Sequence, residues 1–205
     1  MSDATDTTSR RGRPRSEKAR RAILQAAADL LLDQGGARVS MDAVADRAGV
    51  SKATIYRWWP SKEHLALEAL VDWASAGRPP SDTGSLRGDL LALVRPWVRE
   101  IRRRKFGRVI AALIAEAQSD PRFAADYRRH YVEERREPMQ AAFMRAIERG
   151  EAPADLDIDV ALDLVYGALY HRLLHGHAPL TDRFAQDVVD LVLNGILDCN
   201  PVGGA

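Results

Sequence analysis

A short segment in the first third of the chain combines cationic, hydroxyl and small apolar side chains in a pattern that suits DNA. The set is Lys52, Ala53, Thr54, Tyr56 and Arg57. Lysine and arginine neutralise phosphates or donate hydrogen bonds to guanine edges, methyl groups contact thymine, and a tyrosine hydroxyl donates to phosphate. Lys62 stands at the predicted start of the next helix, where the helix dipole also favours a phosphate. This segment therefore predicts binding to double-stranded DNA.

A basic arm precedes this segment and contains Arg11, Arg13 and Arg15 in the string R-G-R-P-R. The first 65 residues carry 12 Lys and Arg against 8 Asp and Glu, although the whole chain has a net charge of only +1. The string resembles the core of an AT-hook, whose extended arginines fit the narrow minor groove of A·T-rich DNA. We expect minor-groove insertion, and the alternative is a solvated tail that raises only non-specific affinity.

Two short helices must position the DNA-facing side chains. Helical periodicity predicts the first over residues 41–48 and the second over 51–57. Gly49 lies in the tight turn between them, where a left-handed backbone conformation costs glycine little. Val50 and Ile55 are expected to form the buried hinge. This arrangement is a helix-turn-helix, which places its second helix in the major groove.

The remainder of the chain also shows helical periodicity, without a strand pattern or a repeat. We predict an all-α fold with an N-terminal three-helix domain that contains the helix-turn-helix, followed by a larger C-terminal helical bundle. The predicted parts are a flexible basic arm over 1–15, a DNA-binding domain over 16–62, and a ligand-binding and dimerisation domain over 63–205. Pro138 should kink or break the long helix that contains it.

The string from Met41 to Leu70, MDAVADRAGVSKATIYRWWPSKEHLALEAL, resembles the N-terminal domain of the TetR family of bacterial transcriptional regulators. The resemblance covers about residues 16–70 and implies a ligand-responsive, homodimeric repressor on a palindromic operator. It places Trp59 where the family buries an aromatic side chain. The DNA-contacting positions that it implies are Ser40, Ser51, Lys52, Ala53, Thr54, Tyr56, Arg57, Trp58 and Lys62.

Two apolar stripes in the C-terminal part predict a dimer interface. Pairing two such helices with their symmetry mates would give a four-helix contact, and a two-fold dimer suits a palindromic operator. The alternative is that both stripes belong to the core of one chain. The predicted interface residues are Leu169, Leu173, Phe184, Val188, Leu191, Val192, Gly195 and Ile196.

A pocket for a small-molecule effector is the second feature that the resemblance implies for the C-terminal part. Aromatic side chains are its candidate lining, and the alternative is ordinary core packing. His171 and His175 are four residues apart and close to His177, a spacing that could bind a transition metal, although helix-end histidines in solvent are the simpler interpretation. The candidate lining residues are Trp97, Phe106, Phe143, Tyr166, Tyr170 and His171.

Several classes of protein are disfavoured. The sequence contains no phosphate-binding loop, nucleophile elbow or zinc-protease motif, so we expect neither an enzyme nor a cofactor. A single cysteine, Cys199, the lack of a long apolar run and the absence of a signal sequence predict a cytoplasmic protein without membrane contact. The alternative to a ligand-responsive regulator is an architectural or global A·T-preferring DNA-binding protein without an effector.

Overall fold

The computed structural model describes residues 13–34, 39–75, 82–103 and 106–197. These residues contain helices and no strand, so the predicted all-α class is confirmed. The helices are α1 (Arg13–Gln34), α2 (Met41–Ala48), α3 (Lys52–Tyr56), α4 (Lys62–Ser75), α5 (Leu86–Arg103), α6 (Phe106–Ser119), α7 (Pro121–Tyr127), α8 (Glu134–Glu148), α9 (Ile158–His175) and α10 (Asp182–Leu197). A π-helical turn, Arg128–Glu133, joins α7 to α8.

The helix-turn-helix forms where the sequence predicts it. The Ser40 hydroxyl caps α2 by accepting from the backbone N–H of Ala43, and Ser51 caps α3 in the same way. Gly49 ends α2 at a φ of 66°, the left-handed conformation expected for the turn. Ile55 is completely buried and Val50 is half-buried, so both pack at the hinge.

The basic arm differs from the prediction in its last residues. Helix α1 begins at Arg13, inside the arm predicted over 1–15, so the backbone at Arg13 and Arg15 is helical instead of extended. Pro14 is compatible with this conformation because proline fits the first turn of a helix, where an N–H has no helical partner. Arg11 lies outside the described residues.

Helices α5 to α10 form the larger bundle, in which α5 packs against α8 and α10 while α9 packs against α6, α8 and α10. Helix α4 packs against α1, and it also packs against α6 and the π-helical turn. It therefore belongs structurally to both parts of the chain. None of the described helices combines the length and the apolar character needed to cross a membrane.

Helix α8 continues through Pro138 without a break. The departure from regular helix is the π-helical turn, which ends at Glu133, before the proline. Pro138 has no N–H to donate to the carbonyl of Glu134. The expected kink is thus replaced by a widened turn ahead of the proline.

Asp89 is a charged side chain in the core of the bundle, with no exposed surface. Its Oδ1 accepts hydrogen bonds from the backbone N–H and the hydroxyl of Thr83, at 2.6 and 2.7 Å, and its Oδ2 lies 3.0 Å from Nη2 of Arg145. Burial raises the pKa of Asp89, but these hydrogen bonds outweigh it and bring the pKa below its ordinary value of 3.8. The ion pair ties the start of α5 to α8.

Candidate nucleic-acid interface and regulatory site

Helix α3 presents one face to solvent and one to the core. Lys52, Ala53, Tyr56 and Arg57 are exposed, whereas Ile55 is buried. Thr54 is half-buried, and its hydroxyl lies 3.0 Å from that of Ser51. The structure therefore brings together the side chains that the sequence predicts for DNA contact. Ser40, Ser51, Trp58 and Lys62 are also exposed around this face.

Lys52 forms an ion pair on this surface. Its Nζ lies 2.5 Å from Oδ1 of Asp42 on α2, and this hydrogen bond raises the pKa of Lys52. The carboxylate holds the ammonium on the exposed side of the helix-turn-helix. Any anion that binds Lys52 would therefore compete with Asp42 for this cation.

Trp59 anchors the end of the helix-turn-helix to α4. Its ring is buried, and its indole N–H donates to Oε2 of Glu68 at 2.7 Å. Glu68 also forms an ion pair with Arg20 on α1, and the Arg20 guanidinium lies over the rings of Trp58 and Trp59. The sequence predicts the buried ring through the resemblance but neither of its charged neighbours, because the contact from Arg20 to Glu68 spans 48 residues.

A groove of about 520 Å³ lies beside the contact between α4 and the π-helical turn, and Asp126 and His130 form part of its lining. His64 lines it from α4, with Nδ1 lying 2.9 Å from the hydroxyl of Ser61 and Nε2 lying 3.5 Å from Oδ2 of Asp126. The same imidazole packs edge-on against Phe123, with ring centroids 5.2 Å apart. The DNA-binding part thus contacts the bundle through a side chain that the sequence does not single out.

An aromatic row begins at Phe123 and runs along α7 into the π-helical turn. Phe123 stacks on Tyr127, and Tyr127 stacks on Tyr131, with ring centroids 6.4 and 5.3 Å apart. Tyr131 in turn lies under the guanidinium of Arg135, 5.5 Å from its Cζ. The spacing of four residues is readable from the sequence, and the row continues the contact between His64 and Phe123 into the bundle.

Three of the predicted pocket residues meet at the far end of this row. Trp97 packs on Tyr170, with centroids 5.4 Å apart, and Tyr170 packs on Tyr166. The Tyr166 hydroxyl donates to the backbone carbonyl of Arg135 at 2.7 Å. Arg135 also places its Cζ 5.4 Å from the centre of the Trp97 ring. We call Trp97, Tyr131, Arg135, Tyr166 and Tyr170 the aromatic cluster.

The other predicted pocket residues lie elsewhere. Phe106 and Phe143 are buried in the core, at 1% and 0% exposure. His171 is exposed on α9, with its ring centre 4.5 Å from that of His175 and 5.2 Å from that of His177. In the part of the chain that the structure describes, no group of three or more His, Cys, Asp and Glu residues is arranged to hold a metal ion.

The predicted dimer stripes divide between core and surface. Leu169, Val188 and Ile196 are buried within the chain's own bundle. Leu173, Phe184 and Val192 are half-buried, whereas Leu191 and Gly195 are exposed. The exposed apolar face also includes residues that the sequence interpretation missed, namely Val160, Leu164 and Leu174 on α9.

The recognition helix is exposed, and it is held by an N-cap, a left-handed glycine turn and a buried aromatic anchor. These features define a helix-turn-helix DNA-binding protein. Comparison with known proteins agrees. Residues 23–69 match the family described as bacterial regulatory proteins, tetR family, and residues 80–192 match the tetracyclin repressor-like C-terminal domain. The chain belongs to the TetR family of transcriptional regulators.

Individual relatives cover nearly the whole chain. The HTH-type transcriptional regulator YdeS of Bacillus subtilis is 38% identical over 188 residues, which are 92% of this chain and 94% of that protein. A DNA-binding transcriptional repressor TetR of Mycobacteroides abscessus is 37% identical over 180 residues, covering 87% and 94%. The crystal structure of the TetR family regulator SCO0332 superposes with a TM-score of 0.78 at 37% identity, covering 87% of this chain and 98% of that one.

Proposed function

We propose that this regulator is a homodimeric repressor that acts in the cytoplasm, binds a palindromic operator, and changes its operator affinity when a small molecule binds the bundle. The observation that carries the proposal is the double packing of α4. This helix follows the recognition segment directly and packs on both α1 and the π-helical turn. A ligand that favours one position of α4 would therefore also favour one position of the recognition helix.

The DNA contacts in this proposal come from the exposed face around α3. Lys52, Ala53, Thr54, Tyr56, Arg57 and Trp58 would enter or flank the major groove, with Ser40, Ser51 and Lys62 at phosphates. Two recognition helices related by a two-fold axis read half-sites about one helical turn apart, or a multiple of it, so the operator should be palindromic.

The exposed apolar face supports a dimer. Val160, Leu164 and Leu174 are 54%, 55% and 45% exposed on α9, and Leu191 on α10 is 73% exposed. The three α9 residues continue one series with Gly167 and His171, in which successive positions are four, three, four and three residues apart, as in a helix seam. Burying large apolar side chains against a second copy is favourable in proportion to the area removed from water.

Sedimentation velocity tests the dimer. Leu164→Glu and Leu191→Glu should each yield a folded monomer, because a carboxylate would then be buried in the interface. Met144→Glu is the matched control, since Met144 is 52% exposed on α8 and lies outside this face. A dimer that survives both interface variants would contradict the proposed surface.

Footprinting on a genomic library tests the specific function against the architectural alternative. One or a few palindromic sites support the proposal, and broad A·T-rich coverage would overturn it. The double variant Tyr56→Phe with Lys52→Ala should lose the specific sites while keeping its helical circular dichroism. A reporter gene placed downstream of a recovered site should be less active when the protein is present.

A further inference from the structure

Within the aromatic cluster, the guanidinium of Arg135 has no anionic partner among the residues that the structure describes. The Cζ of Arg135 lies near Trp97 and Tyr131, and its Nε is closed to solvent and has no hydrogen-bond partner. The neighbouring Arg136 is different, because it forms ion pairs of 2.8 and 2.5 Å with Asp159 and Asp163 of α9. Two adjacent arginines therefore have opposite surroundings, one with two carboxylates and one with aromatic rings.

The aromatic rings cannot neutralise this cation. Burial raises the pKa of Tyr127 and of Tyr170 well above the ordinary value of 10.0, so both are neutral phenols at physiological pH. An arginine side chain stays protonated throughout this range. Contact with ring faces recovers part of the lost hydration of the guanidinium, but a partly buried charge without a counter-ion remains costly.

A second donor without a partner lies in the same cluster. Trp97 is only 8% exposed. Its indole N–H is closed to solvent and has no hydrogen-bond acceptor. Native proteins satisfy most buried donors, so an indole N–H without an acceptor is a group that a bound acceptor would stabilise. Arg135, Tyr166 and Tyr170 are half-buried, so solvent reaches part of each of these side chains.

We propose that the aromatic cluster is an anion site, and that the effector is a small carboxylic acid with an apolar or aromatic body. The guanidinium of Arg135 would receive the carboxylate, and the Trp97 indole N–H would supply a further hydrogen bond. The rings of Tyr131, Tyr166 and Tyr170 would contact the apolar body. This inference rests on the proposed effector response and adds the chemical class of the molecule.

A carboxylate fits better than a more highly charged group. The planar fork of a guanidinium matches the two oxygens of a carboxylate. A single cation would neutralise a monoanion, whereas a phosphate dianion would retain a negative charge among neutral phenols and an indole. A neutral ligand would leave the charge of Arg135 without a counter-ion, and a cationic ligand would be repelled by it.

Matched pairs of acid and amide test the proposal. The probes are benzoate, 2-naphthoate and decanoate, each compared with its primary amide, and binding is measured by calorimetry and by the shift in thermal unfolding. At least one acid should bind and stabilise the wild-type protein, while its amide should bind roughly 10- to 100-fold more weakly because it lacks the charge. Equal binding of acid and amide, or no binding of any acid, would overturn the proposal.

Variants then locate the site. Arg135→Gln should lose the preference for the acid over the amide, whereas Arg129→Gln, an exposed arginine one and a half turns away, should retain it. Trp97→Phe keeps a ring and removes the indole N–H, so it should weaken acid binding severalfold. If Arg135→Gln does not fold, Arg135→Lys and Trp97→Phe test the site instead, because lysine keeps the charge but lacks the planar fork. Unaltered acid binding in both variants would contradict the assignment.

Operator release is measured separately by gel shift, so that the two proposals can fail independently. Acid binding that leaves operator affinity unchanged supports the anion site and contradicts the effector response. Operator release by an amide, with equal binding of its acid, supports the effector response and contradicts the anion site.

Discussion

The imidazole of His64 on α4 packs edge-on against the ring of Phe123 on α7, with ring centroids 5.2 Å apart. His64 belongs to the helix that follows the recognition segment, and Phe123 begins the aromatic row that leads to Arg135. The pair is thus one direct contact between the DNA-binding part and the aromatic row.

Replacing His64 with alanine should loosen α4. The variant loses the contact with Phe123 and the interaction with Asp126, so we expect backbone amides of α4 and of the π-helical turn to exchange roughly tenfold faster. Hydrogen exchange measured by mass spectrometry resolves both segments. Asp72→Ala is the control, because Asp72 is exposed on the same helix. Unchanged exchange in both segments would show that this contact does not hold α4.

Removing the Asp42 carboxylate should strengthen non-specific DNA binding. In Asp42→Asn the ammonium of Lys52 no longer has a competing anion at 2.5 Å, so affinity for a mixed-sequence duplex should rise roughly two- to fivefold at low salt. Lys52→Ala should instead lower the slope of log affinity against log salt by about one. Fluorescence anisotropy over a salt series measures both. An Asp42→Asn effect that persists in the Lys52→Ala background would mean that the carboxylate acts on DNA directly.

The hydrogen bond from Trp59 to Glu68 should contribute measurably to stability. Trp59→Phe keeps an aromatic ring in the core but removes the donor, and we expect a loss of about 1 to 3 kcal/mol in the free energy of unfolding. Urea denaturation followed by circular dichroism gives this value. The control is Trp58→Phe, where the ring is 37% exposed and a change below about 0.5 kcal/mol is expected. Equal losses in the two variants would argue against a special role for Glu68.

The buried carboxylate of Asp89 should make stability depend on pH in the acid range. Its pKa is lowered in the folded state, so the stabilisation is present above the ordinary value of 3.8 and is lost as the pH falls through the folded-state value. Asp89→Asn should therefore cost roughly 2 to 4 kcal/mol at pH 7, and this difference should shrink below about pH 4. Urea titrations at a series of pH values measure it. A difference that stays constant into the acid range would contradict the assigned ion pair.

Local features of the fold could be predicted from the sequence because their causes are local. Ser40 and Ser51 cap the helices that directly follow them, and Gly49 meets a backbone requirement within a single turn. The contact between Trp97 and Arg135 could not be predicted in this way, because it joins residues 38 positions apart on helices that other side chains orient. The spacing of four along the aromatic row is visible in the sequence, but the neighbours of the row are not.

The dimer stripes show a different limit. Both α9 and α10 are apolar on more than one side, so composition alone does not separate the face turned to the core from the exposed one. Leu169 faces the core, while Leu164, five residues earlier, faces solvent. Positions five apart on a helix differ by about 140° in direction, and only the packing of the neighbouring helices decides which is buried.

The π-helical turn at Arg128–Glu133 sets the rotation of α8 relative to α7. A π turn contains one residue more than an α turn, so the extra residue of this segment is absorbed locally without disturbing either flank. Phe123 therefore faces α4, and Arg135 faces Trp97. Deleting a single residue here would rotate one flank against the other by about 100°, so the two contacts could not form together. A one-residue deletion in this segment should therefore uncouple the two contacts even where Tyr131 is retained.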